Sequence, residues 1–205
     1  MQIAAVIGDL VGSRQTLHRD ELQRSLLDVL AKTNADTGPQ TELTLTRGDE
    51  FEGTYEDIDS AWEASLRLHL MMRTRGHGLW ISIAWGEVTA LPNAGDAALQ
   101  DGPAWWTARA AMSEMKQATR RPRNRRTVFT TNDPVTARLL DAAALLRDEV
   151  LAGLDESDAA IALGLLNGAT QKDVATQLGV TAGVVSRRIH RNGLLSLVES
   201  AKISP

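Results

Sequence analysis

The chain has 205 residues, 43% of them hydrophobic and 23% charged, with a formal net charge of −4 at pH 7 and no cysteine. That is enough chain for one full core and a small second unit, and it excludes a disordered or strongly basic protein, disulfides and thiolate metal sites. No run of about 18 uninterrupted apolar residues occurs, and the N-terminal apolar run is broken by Asp9 without a basic flank, so neither a membrane span nor a signal peptide is expected; the expectation is a soluble, cytoplasmic protein.

Residues 1–9 (MQIAAVIGD) read as a short buried strand that ends on an acid. A carboxylate at the tip of a central strand is costly to bury unless it is paired or bound to a cation, so Asp9 is expected to face a site. Gly12 and Ser13 follow, ahead of a helix, where backbone N–H groups can meet an anion and Arg14 adds charge. That helix is predicted over residues 19–32, with Leu22, Leu26, Val29 and Leu30 in one stripe. Residues 34–40, containing Gly38-Pro39, are predicted as a turn.

Residues 41–55 (TELTLTRGDEFEGTY) pair a strand with an acidic turn. Leu43 and Leu45 alternate with Thr44 and Thr46, Gly48-Asp49 turns the chain, and Glu50-Phe51-Glu52 begins the return. A Gly-Asp pair is also a purely structural hairpin signal. If the Asp9 strand lies beside this hairpin, the carboxylates can instead share a hard divalent cation, Mg²⁺ or Mn²⁺, which takes oxygen ligands and leaves places for water and phosphate. Asp9, Asp49 and Glu50 are the candidate metal ligands.

Further along, a helix is predicted over residues 57–73 with Ile58, Ala61, Trp62 and Leu66 on one face, then a strand over 79–85 and a loop over 91–100. Residues 104–117 make a helix with Trp105, Ala108, Ala111, Met112 and Met115 on one side. An edge strand at 127–130 and an amphipathic helix at 134–149, through Val135, Leu139, Ala143 and Leu146, complete an α+β sheet domain over residues 1–150. The basic run at 120–126 reads as a solvated turn or as a clamp for phosphates. His69 and His77 have no metal-ligand partner at a useful spacing and receive no role.

Residues 151–205 read as a separate small all-α unit. A helix over 155–167 precedes a short helix capped by Thr170, a turn at Gly179 and a third helix capped by Thr181. Val174, Ala175, Leu178, Val180, Val185 and Ile189 recur where a helix-turn-helix buries them. The third helix is expected to expose Val184, Arg187, Arg188 and Arg191, a cationic face suited to the major groove of DNA. The other reading is a helical cap or dimerisation bundle with solvated arginines.

Asp9-Leu10-Val11-Gly12-Ser13, Arg47-Gly48-Asp49-Glu50-Phe51, the strand and turn at 81–88, and Ala108-Arg109 occur in the order found in class III nucleotidyl cyclase domains. The chain resembles that family and, more narrowly, the SatD family; the hairpin is also similar to that of diguanylate cyclases. The resemblance implies a ferredoxin-like palm, with Asp9 and Asp49 as metal aspartates and Arg109 steadying a transferring phosphate. With catalysis, these three are the catalytic residues; Gly12, Ser13, Arg14, Arg47 and Arg109 are the expected phosphate contacts. Leu45 stands where adenylate cyclases carry a base-selecting lysine, Trp105 where they carry a ribose-positioning asparagine, and Arg47 where diguanylate cyclases have a glycine. Two functions follow. The first is a homodimeric DNA-binding transcription regulator whose palm binds a nucleotide or cyclic nucleotide with a metal, using Thr170, Thr181, Val184, Arg187, Arg188 and Arg191 on DNA. The alternative is a nucleotidyl cyclase or nucleotide polymerase tethered or regulated by its helix-turn-helix. No membrane partner is expected.

Overall fold

The computed structural model describes residues 1–12, 19–90, 100–120 and 122–202. Ser13 and Arg14, Arg121 of the basic run and most of the expected 91–100 loop lie outside them.

Strand β1 (Gln2–Leu10) leads to helix α1 (Arg19–Thr37), the hairpin β2 (Thr41–Arg47) and β3 (Glu50–Tyr55), helix α2 (Ile58–Arg73) and strand β4 (Leu79–Glu87). β1 lies between β3 and β4 and is antiparallel to both, giving the spatial order β2-β3-β1-β4 of a ferredoxin-like βαββαβ unit. After a short ribbon of β5 (Thr89–Ala90) and β6 (Gln100–Asp101), helix α3 (Pro103–Gln117) crosses over to β7 (Thr127–Thr131). β7 joins the edge parallel to β4 and makes a fifth strand.

Both faces of this sheet are used, which is why β1 reads as an almost unbroken apolar run. Side chains alternate along a strand. Ala4, Val6 and Leu10 enter one core with Leu26 and Leu30 of α1 and Trp62 and Leu68 of α2. Ile3, Ala5 and Ile7 enter a second core with Trp105, Ala108 and Met112 of α3. Asp9 continues the second series, so it is directed toward the α3 side. Its neighbour Gly8 faces the first core, where a Cβ would lie 2.0 Å from Phe51 Cζ. Only a residue without a side chain lets the Phe51 ring cross beneath the tip of β1.

Helix α1 runs past its expected end at residue 32 to Thr37, because Asn34 is committed to the next strand rather than to a turn. Its amide Oδ1 accepts from Leu43 N at 2.9 Å and its Nδ2 donates to Leu43 O at 3.1 Å. Asp57 caps α2 by accepting from Ser60 N at 2.7 Å.

Helix α4 (Pro134–Ala152) departs most from the sequence reading. Val135, Leu139 and Leu146, expected on its core face, are exposed. Its buried side carries Ala144, Arg147, Asp148 and Leu151. Arg147 lies 4.1 Å from the centre of the Trp62 ring and donates to Trp62 O and Ser65 Oγ, at 3.2 and 2.7 Å. Burial lowers its pKa to about 10. Asp148 accepts from Arg126 N, Thr127 N and Thr127 Oγ1, while burial raises its carboxyl. Packing therefore favours a largely hydrogen-bonded polar cluster over the apolar stripe, with Arg147 Nε left without a partner among the described residues.

Helices α5 (Glu156–Leu166), α6 (Gln171–Leu178), α7 (Ala182–Asn192) and α8 (Leu194–Glu199) form a third layer behind α2. Leu66 and Leu70 of α2 share their core with Ile161, Val174, Val185, Ile189 and Leu197. Trp62 Nε1 donates to Ser200 O at 2.7 Å and Arg67 Nη1 to Asn167 Oδ1 at 2.6 Å. Asp155 and Thr170 each form a capping box, Gly179 ends α6 with φ 65°, and Thr181 caps α7. Leu178 and Val180, expected inside, are exposed at 37% and 40%, since they flank the turn on its solvent side. Among the described residues no helix is long and apolar enough to cross a membrane.

Candidate two-carboxylate site

The pairing of β1 with β3, with Gly8 opposite Phe51, carries the Gly48-Asp49 turn alongside the end of β1. Gly48 has φ 64°, the left-handed conformation glycine adopts freely, and Gln23 of α1 braces it by donating from Nε2 to Gly48 O at 2.9 Å. Asp9 and Asp49 are consequently neighbours, both half-buried, and the Asp49 carboxyl bears on that of Asp9. A third group completes the pair: Lys116 Nζ, from the last turn of α3, donates to Asp9 Oδ2. Burial raises the Asp9 carboxyl, contact with Lys116 opposes this, and the neighbouring Asp49 adds to the rise, so the result lies above the ordinary aspartate range.

Two adjacent carboxylates, partly removed from water and drawn to a cationic partner, form the oxygen donor set a hard divalent cation takes. Asp9 and Asp49 fit that role. Glu50 does not join them: among the described residues no three acidic or imidazole groups converge, and Glu50 Oε1 lies 3.6 Å from Arg109 Nη1. Alternation along β3 puts Glu50 on the same α3 side of the sheet as Asp9, on the neighbouring strand, where Arg109 takes it up.

Arg109 also donates to Glu52 Oε1 at 2.5 Å. Burial raises the Glu52 carboxyl and the Arg109 guanidinium opposes it. Between them lies an open hollow of about 490 Å³, lined by Thr46, Arg47, Glu50, Glu52 and Arg109. Arg47 and Arg109, expected on phosphate, thus share one cavity, with Arg109 held by acids. Gly12 has φ 72° and open space around it.

Lys116, Glu52 and Gln23 were not singled out from sequence. Lys116 is detectable in retrospect, because it follows Arg109 by seven residues, two turns along the same helix face. The substituted positions also fall differently than expected. Leu45 packs against the α1–α2 core, on the opposite side of the sheet from Glu52, so it does not face the hollow. Trp105 is buried under α3, and its indole N–H has no hydrogen-bond partner among the described residues.

On α7, Arg187 and Arg191 are exposed and Val184 is half-buried rather than exposed. Arg188 is not free: it bridges Asp155 at 2.8 Å and Asp158 at 2.7 Å, the two acids of the α5 capping box, and they raise its pKa. A hollow of about 820 Å³ lies here, larger than the one beside Arg109. Its acids Asp155 and Asp158 are engaged in the capping box and with Arg188. The basic run is partly engaged within the protein. Arg125 donates to Asp141 at 2.6 Å, and the Arg126 guanidinium lies 4.4 Å from the centre of the Trp80 ring.

Similar solved structures are adenylyl and guanylyl cyclase domains. A bacterial light-regulated adenylyl cyclase is 13% identical, with a TM-score of 0.49 over 63% of this chain and 43% of that one. The guanylate cyclase domain of RhGC from Catenaria anguillulae, in complex with GTP, is 19% identical, with a TM-score of 0.45 over 55% of this chain and 72% of that one. The match thus spans less than half of the light-regulated enzyme. No curated protein matches the sequence. The family model "SatD family" matches residues 3–198, nearly the whole sequence, and the chain belongs to the SatD family.

Proposed function

We propose that the Asp9–Asp49 site binds a nucleoside triphosphate with Mg²⁺ or Mn²⁺ and promotes nucleotidyl transfer. A hydroxyl oxygen bonds to the α-phosphorus, the bond to the pyrophosphate oxygen breaks, and the hydroxyl proton passes to water. The observation that carries this reading is the carboxylate pair held by Lys116 beside a hollow that presents Arg47 and Arg109. Asp9 and Asp49 supply ligand oxygens. When bound, the cation neutralises phosphate charge and makes the attacking hydroxyl more acidic. Lys116, released from Asp9, and Arg109, exchanging Glu52 for phosphate, supply positive charge to the leaving pyrophosphate. Leu45 lies outside the hollow, so base selection must come from other residues.

Calorimetry with Mn²⁺ and each NTP, followed by chromatography of the products, tests this. Metal-dependent binding that Asp9→Asn and Asp49→Asn both abolish is expected. Binding of no NTP by the wild-type protein, or unchanged binding in both variants, overturns the reading.

A second reading assigns DNA binding to α7, where Arg187 and Arg191 are exposed about one turn apart on a helix free of acids. Arg188, locked by Asp155 and Asp158, is left out of it. In fluorescence anisotropy with duplex DNA, Arg187→Ala/Arg191→Ala is expected to weaken binding and reduce its salt dependence by about two counterions. An unchanged salt slope removes the reading.

A further inference from the structure

We propose that α4 is the homodimer interface, pairing with α4 of a second copy in antiparallel, two-fold fashion. Val135, Leu139, Leu146 and Val150 are 58%, 66%, 69% and 39% exposed, and Ala142 between them is exposed as well. At 3.6 residues per turn these positions fall on one side of the helix, opposite Ala144 and Leu151, which face the body of the protein. Isolated surface hydrophobics need no explanation, but a continuous stripe of four on one helix marks a contact surface.

The order of the stripe identifies its occupant. Read from either end it is Val, Leu, Ala, Leu, Val: Val135 and Val150 lie equally far from a midpoint just beside Ala142, as do Leu139 and Leu146, while Ala143 turns toward the core. A two-fold axis through that midpoint places valine on valine and leucine on leucine, with Ala142 of each copy beside the axis, so the surface is its own complement. An isologous interface requires this property. The small alanines at the centre let the two backbones approach where the axis passes.

Charge agrees. Arg138 and Glu149 lie on the same flank of the stripe and both are exposed. In the antiparallel arrangement Arg138 of one copy and Glu149 of the second fall two positions apart along the axis, about 3 Å. In a parallel arrangement the two-fold axis carries this flank to the opposite side of the seam, and no such pair forms. The axis therefore repeats an oppositely charged pair twice, which favours the antiparallel choice. The rest of α4 is fixed from beneath by Arg125 on Asp141 and by the bonds of Asp148, so the stripe is a rigid surface.

The chain has no cysteine, so a single introduced one reports the register. Sedimentation equilibrium is expected to show a dimer for wild type and a monomer with unchanged circular dichroism for Leu139→Glu/Leu146→Glu. Ala142→Cys, adjacent to its own symmetry mate, is expected to cross-link under mild oxidation. Leu139→Cys, seven positions or about 10 Å from its mate along the axis, is expected not to. Arg138→Glu and Glu149→Arg should each weaken the dimer several-fold, and together restore it. A wild-type monomer, a dimer that survives Leu139→Glu/Leu146→Glu, or equal cross-linking at residues 139 and 142 overturns the proposal. NTP binding does not enter any of these readouts, so they stand apart from the nucleotide reading.

Discussion

The two faces of the sheet are built from the same strands yet end in opposite states. On the face covered by α1 and α2, residues from all five strands meet in a buried core that includes Phe51, Tyr55 and Trp62. On the other face α3 covers β1, β4 and β7 but leaves β2 and the outer half of β3 open, so Glu50 and Glu52 point into a hollow shared with Arg109. Phe51 and Glu52 are adjacent in sequence and belong to these two regimes. One face supplies stability; the other can spend it on charges that a core excludes.

Substitutions on either side should separate stability from binding, and the largest effect belongs to the buried face. Phe51→Ala is expected to cost about 3–5 kcal/mol in urea unfolding, whereas Glu52→Gln stays within about 1 kcal/mol. Equal losses would erase the distinction between the faces. Gly8→Ala should cost less, about 1–3 kcal/mol, because its Cβ collides with the Phe51 ring. Combined with Phe51→Ala, the Gly8→Ala penalty should largely vanish, and simple additivity would count against a collision.

A pH series sharpens the comparison from within the protein. His69 is buried, with Nε2 2.9 Å from Thr127 Oγ1, and burial pulls its pKa from 6.5 down to about 3. The unfolded chain binds a proton below pH 6.5 that the folded protein refuses until about pH 3, so stability falls as pH drops through that window. The slope from this residue is at most about 1.4 kcal/mol per pH unit. His69→Gln, which keeps a hydrogen-bonding amide near Thr127, should flatten the decline between pH 6.5 and pH 4; an unaltered profile would mean that His69 titrates normally.

The smallest change in stability, and the most specific in function, is expected at Lys116. Lys116→Met should alter the melting temperature little yet enlarge the upward shift produced by Mn²⁺, since the metal no longer displaces a resident ammonium from Asp9. Shifts of equal size in Lys116→Met and wild type would show that the lysine does not compete for that position.

Much of this architecture was legible from local signals. β1, the acidic hairpin, α3 and the caps at Thr170 and Thr181 follow from strand alternation and from side chains that satisfy helix ends, whereas the capping role of Asp155 does not stand out there. What escaped depends on partners distant in sequence. Lys116 reaches Asp9 across 107 positions. The face of Leu45 depends on how β2 registers against β3, which shifts between Thr41 and Thr44 and again between Leu45 and Arg47. α4 misled because its most hydrophobic stripe is the exposed one, while its buried side uses Arg147 and Asp148, charges that become affordable only with Trp62, Ser65 and Thr127 in place.

The bond from Trp62 to Ser200 spans 138 positions, and that span matters during synthesis. On the ribosome, α2 emerges long before Leu194, Leu197 and Ala201, the residues that lie over its outer side beside Leu66 and Leu70. A chain terminated and released near residue 150 holds every strand of the sheet but carries a bare apolar strip. It should be gripped by a holdase chaperone and cut readily by protease, whereas a chain extended past Ala201 should be released and resistant. Helices α5 to α8 thus act, in the order of translation, as the step that covers the apolar strip left on α2.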